Sequence, residues 1–164
     1  MNNQEILTDA PAAVPGGDPP YAPICASGAM RVENARATID TAEDVFLLLA
    51  AEAAGLKESR LWRVDLDRDN RVLGRELIAD RGADTIVIHP RRVFGGSRGA
   101  VAAGAAKVVL VHNHPSQDLA RTDADYILTD LMAIAGAASG VPLHDHVIVS
   151  DKAYFSFRDV GYLE

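Results

Sequence analysis

The chain has 164 residues, about one domain's worth, and its 48% hydrophobic and 24% charged residues exclude wholesale disorder. Acidic residues outnumber basic ones 23 to 16, a formal charge of −7, which is the opposite of the balance with which a protein grips nucleic-acid phosphates. Cys25 is the single cysteine, so no intrachain disulfide can form. No apolar run reaches the roughly 18 residues of a membrane span, and the first residues lack a signal-peptide pattern, so a cytoplasmic protein is expected.

In chain order, residues 1–29 read as a tail, with Pro11, Pro15, Pro19, Pro20 and Pro23 beside Gly16 and Gly17. A folded domain is expected over 30–164. Thr41-Ala-Glu-Asp44 before Val45-Phe46-Leu47-Leu48-Leu49 predicts a capped helix over 41–54 that closes at Gly55. Leu61 to Leu66 mixes apolar and polar residues with a period near two. Asp67 to Asn70 is a turn, and Arg71 to Ile78 reads as the return strand. A third strand is expected at 84–89. Pro90 then suits the first position of a helix over 91–105, which Gly95, Gly96 and Gly99 weaken. Ala106 to Val111 is a β-branched run typical of a buried central strand. A polar loop leads to a helix over 122–138, and strands follow at 143–150 and 154–157. Interleaved helices and strands make the class α/β or α+β, one sheet flanked by helices.

The stretch from His112 to Asp125 carries the chemistry. Residues two apart on a strand point to one side, so His112 and His114 can converge at the strand end, and Asp125 falls in the first turn of the next helix. Two imidazoles and a carboxylate suit a catalytic zinc that keeps its fourth position for water. Thr122-Asp-Ala-Asp125 also fits a helix cap, and His112 alone also fits a core histidine.

These residues resemble a known signature. His112-x-His114, seven residues, Thr122-x-x-Asp125 matches the JAMM pattern of MPN-type (JAB) metalloproteases, and His112-Asn-His-Pro-Ser116 resembles the box of bacterial RadC-like proteins. Leu66-Asp67, Asn70-Arg-Val72, His89-Pro-Arg91, Asp145-His146 and Ser156-Phe157 extend the likeness over roughly residues 40–164. The resemblance implies a JAB/MPN fold of cytidine-deaminase-like architecture, a curved mixed sheet flanked by helices. It implies His112, His114 and Asp125 as zinc ligands, and Thr122 in the place of a serine that steadies the oxyanion. It also implies an upstream glutamate as general base. Glu58 occupies about that place, one residue further from Leu66-Asp67 than is usual, so alternation turns it to the wrong side unless a bulge corrects it. Glu76 is the substitute. Arg92, Ala120-Arg121 and His144 depart from the pattern. Asp145-His146 reads either as support for a ligand histidine or as a buried polar pair. His89 reads as structural and Trp62 as core.

The expected activity is thus a zinc-dependent metallopeptidase or isopeptidase acting on a peptide or protein. The alternatives are a catalytically silent MPN-type interaction module and a DNA-repair accessory. For the last, only a local patch of Arg91, Arg92 and Arg98 speaks. Homo-oligomer formation is left open by the sequence.

Overall fold

A computed structural model of the chain describes residues 37–79 and 88–164. The tail expected over 1–29, Cys25, the start of the 30–164 domain and most of the strand expected at 84–89 lie outside the described residues. The elements are α1 (Ala42–Ala53), β1 (Leu61–Leu66), β2 (Val72–Ala79), α2 (Pro90–Phe94), β3 (Lys107–Asn113), α3 (Asp123–Ser139), β4 (Leu143–Val149) and β5 (Tyr154–Ser156).

Local signals account for most of the boundaries. Thr41 caps α1 in a reciprocal box: its Oγ1 accepts from the Asp44 amide at 3.2 Å, and its own amide donates to Asp44 Oδ2 at 2.9 Å. Asp67 Oδ1 accepts from the Asp69 and Arg71 amides and closes the β1–β2 turn, in which Asn70 adopts φ +63°. The helix expected over 91–105 is corrected to the five residues of α2. Gly95 ends it, Gly96 turns left-handed, and the chain folds back so that the Ala100 amide donates to Val93 O at 2.9 Å. Gly99 makes this fold-back specific, because a Cβ there would lie 2.2 Å from Gly95 O.

The strands form a mixed sheet in the order β2-β1-β3-β4-β5. β1 pairs antiparallel with both β2 and β3, β3 pairs parallel with β4 through the α3 crossover, and β5 closes antiparallel on β4. The core has two layers. On one face α1 packs Val45, Phe46 and Leu49 onto Trp62, Val64, Val109, Val111 and Val147. On the other, Val93 and Phe94 of α2 and Leu128 and Met132 of α3 pack onto Leu61, Val108 and Leu110.

Position in the sheet decides burial where the pattern suggested otherwise. The period-two alternation of β1 would suit a strand with one wet face, yet all six of its residues are buried. β1 lies between β2 and β3 with helices on both sides. Its polar residues Arg63 and Asp65 therefore had to be satisfied internally. Arg63 Nε and Nη2 donate to the two oxygens of Asp65 at 2.7 and 2.9 Å, Nη2 also donates to Glu76 Oε2 at 3.2 Å and Arg98 O, and Nη1 donates to Val93 O. No described helix is long and apolar enough to cross a membrane.

Candidate metal centre

β3 carries its buried run two residues beyond Val111, through His112 to Asn113. Its even-numbered residues Val108 and Leu110 face α2 and α3, so His112 emerges on that side, beneath the start of α3. Asn113 fixes the neighbouring segment. Its side-chain oxygen accepts from the Arg60 amide at 2.8 Å and its amide donates to Glu58 O at 3.0 Å, which prolongs the β1–β3 pairing beyond Leu61. α3 begins at its cap, Thr122. The Thr122 hydroxyl accepts from the Asp125 amide at 3.3 Å and donates to Asp125 Oδ2 at 2.9 Å, and the Thr122 amide donates to the same oxygen at 2.7 Å. The capping reading of Thr122-Asp-Ala-Asp125 therefore holds, and the cap aims a carboxylate at the end of β3.

His112, His114 and Asp125 meet there, with a nitrogen or oxygen of each lying within 4.8 Å of the others. The two Nε2 atoms are 2.8 Å apart. Asp125 Oδ1 lies 3.1 Å from His112 Nε2, and Oδ2 lies 3.5 Å from His114 Nε2. Each ring's other nitrogen is engaged elsewhere. His114 Nδ1 donates to Asp118 O at 2.8 Å, which leaves Nε2 as the nitrogen free to bind. His112 Nδ1 faces His146 Nε2 at 2.8 Å, and His146 Nδ1 faces Thr129 Oγ1 at 2.7 Å. Among the described residues no second cluster of this kind occurs.

The cluster attracts positive charge. Burial would raise the Asp125 carboxyl, but its contacts with His112, His114 and the Thr122 amide outweigh burial and hold it far below the usual carboxylate range. For His114, burial is outweighed by Asp125 and Asp118, and its pKa rises. His112 behaves in the opposite way: complete burial prevails over Asp125 and lowers it. Burial lowers His146 strongly as well, and the His112 ring beside it adds to the effect.

Glu58 is exposed, and only its backbone carbonyl is tied to the site, through Asn113. Glu58 precedes β1, which pairs with β3 from Leu61 opposite His112, and the Asn113 side chain holds the Glu58–Arg60 segment beside that pairing. Glu76 is engaged with Arg63 and lines an open depression with His89, Arg91, Arg92 and Arg98. His89 caps α2, accepting from the Arg91 amide, and Arg92 donates to Ile78 O. The Arg121 guanidinium lies 4.6 Å from the Phe155 ring centroid. Trp62 is in the core at 3% exposure.

Asp145 and His146 divide their roles. His146 meets His112. Asp145 points to the opposite face, accepting from Ser156 Oγ at 2.6 Å and from the His146 and Arg158 amides, and burial raises its carboxyl to about 6. Sequence reasoning missed Thr129, although its position one helical turn after Asp125 was a usable signal. It also missed Asn113, whose position inside the His-x-His box turns it to the far side of the sheet.

Comparison with known proteins agrees with this architecture. The RadC-like JAB domain family model matches residues 39–162. A UPF0758 protein of Methanococcoides burtonii is 33% identical over 131 residues, covering 80% of this chain and 56% of that protein. One of Chlorobium chlorochromatii is 35% identical over 125 residues, covering 76% and 55%. One of Thermotoga maritima is 44% identical over 98 residues, covering 60% and 43%. The chain thus spans about half the length of the relatives it matches. With the sheet, its flanking helices and the family match in agreement, the chain belongs to the RadC-like JAB domain family.

Proposed function

We propose that the protein is a zinc-dependent hydrolase that cleaves an amide bond in a peptide or protein substrate. One observation carries this reading: His112 Nε2, His114 Nε2 and the Asp125 carboxylate converge, with both Nδ1 atoms engaged away from the meeting point. Two imidazoles and a carboxylate are the donor set of a catalytic zinc, and electron-pair donors this close repel one another unless a cation or a proton stands among them. When bound, the ion supplies Lewis acidity, making a water acidic near neutral pH and polarising a carbonyl.

The chain's own groups divide the remaining work. His112, His114 and Asp125 hold the ion. Thr122 positions Asp125 through its amide and hydroxyl, and it reaches a developing oxyanion by turning that hydroxyl away from Oδ2. Glu58 takes a proton from the attacking water and passes it to the leaving amine, for which its carboxylate has to swing in from its exposed place ahead of β1.

The exposure of Glu58 favours a second reading, a metal-binding interaction module that keeps the site without turnover. The two readings separate on the zinc-loaded protein incubated with a peptide library and an isopeptide-linked substrate. The hydrolase reading expects cleavage that is lost in His114→Ala together with the zinc, and lost in Glu58→Gln with the zinc retained. Bound zinc with no substrate cut identifies the module. Cleavage that persists in Glu58→Gln removes Glu58 from the mechanism.

A further inference from the structure

We infer that Thr129 and His146 are positioning residues that set the tautomer of His112, so that the nitrogen facing His114 and Asp125 carries a lone pair instead of a hydrogen. The argument is a count of protons along a buried chain of contacts. Thr129 Oγ1 lies 2.6 Å from Asp125 O, one turn back along α3. Two oxygens at that distance require a hydrogen between them, and only the threonine has one, so the hydroxyl donates to the carbonyl. Oγ1 can then only accept from His146 Nδ1, 2.7 Å away, so the His146 hydrogen is on Nδ1. Its Nε2 is left as an acceptor 2.8 Å from His112 Nδ1, and the hydrogen in that contact belongs to His112. With both rings neutral, His112 Nε2, the atom 2.8 Å from His114 Nε2 and 3.1 Å from Asp125 Oδ1, is therefore unprotonated.

The surroundings hold this arrangement in one orientation. His146 and Thr129 are 0% exposed, so no water competes for either nitrogen. The His146 ring is stacked on Phe157 with 6° between planes, which restrains its rotation. The chain of contacts starts at the backbone of Asp125, itself one of the three converging residues. The helix that delivers the carboxylate thus also dictates which nitrogen of the facing histidine is free. Ligand histidines are commonly oriented by a carboxylate or a carbonyl on the other nitrogen. Here an imidazole and a threonine do that work, and Thr129 touches none of the three atoms that converge.

The inference rests on the metal-binding reading for its purpose, but its first test needs no metal. Long-range proton–nitrogen spectra of the metal-free protein at pH 7.5 should show His112 and His146 both protonated at Nδ1. His112 protonated at Nε2 would overturn the assignment without any substitution. Thr129→Val removes the acceptor at nearly constant volume. In that variant His146 should shift its hydrogen to Nε2, His112 should follow, and zinc affinity should fall by about 10–100-fold. Thr129→Ser should restore the parent spectrum and affinity. A valine variant that keeps parental tautomers and zinc affinity would overturn the proposal, as would a serine variant that fails to restore them. If the zinc-loaded parent cleaves no amide, the hydrolase reading falls and the tautomer result stands by itself.

Discussion

Two buried polar clusters share one face of the sheet, and they differ in a single respect. Arg63 brings its own cation to Asp65 and Glu76, and the remaining guanidinium donors end on the carbonyls of Val93 and Arg98. At the other end of the same face, across the β1–β3 pairing, His112, His114 and Asp125 collect electron-pair donors and supply no fixed positive charge. The first cluster is complete within the chain and needs nothing from outside. The second is satisfied only by a proton on His114 or by an ion. Charge balance, not burial, therefore separates the structural cluster from the functional one, since the residues of both are almost wholly buried apart from Glu76 and His114.

The largest expected effect breaks the complete cluster. Arg63→Met leaves Asp65 as an uncompensated buried charge and should cost about 3–5 kcal/mol in denaturant unfolding, with zinc stoichiometry unchanged in whatever remains folded. Loss of zinc in a folded Arg63→Met protein would merge two clusters that the comparison keeps apart. The incomplete cluster should respond to its missing partner. Zinc at about a thousand times its dissociation constant should stabilise the protein by about 4 kcal/mol, and this gain should vanish in Asp125→Asn. Thr122→Ala removes the cap and the hydroxyl donor to Oδ2. It should cost about 1 kcal/mol of stability and also weaken zinc binding, whereas Thr122→Ser should do neither.

The smallest effect lies outside both clusters and sharpens the contrast. Asp145 has a folded pKa of about 6, above the ordinary value of 3.8. A raised pKa gives stability that is complete below about 3.8 and lost as pH rises through about 6. Relative to Asp145→Asn, the parent should therefore become less stable between pH 5 and pH 7 by about 1 kcal/mol, read from urea midpoints at the two pH values. A parent-to-variant difference that does not change with pH would show that the Asp145 carboxylate is not strained by burial.

Much of the site was legible because its signals are local. The His112-x-His114 spacing, the strand that ends there and the Thr122–Asp125 cap each depend on residues within one element and its next turn. The fold class followed from the alternation of elements. The less legible parts depend on register between elements. The burial of Arg63 and Asp65 cannot be read from one strand, because it follows from β1 having neighbours on both sides. The helix expected over 91–105 broke at a backbone approach too close for any side chain at Gly99, a tertiary contact with only glycine as its trace. Glu58 shows the same limit. The Asn113 contacts that hold its backbone and that of Arg60 come from more than 50 residues away.

Calorimetric titration of the chelator-stripped protein with zinc, alongside His114→Ala, tests the central claim most directly. One ion per chain in the parent, with protons released on binding, and no stoichiometric binding in the folded His114→Ala variant are the results this account predicts. Zinc that fails to bind the parent, or that binds the alanine variant equally well, would contradict it.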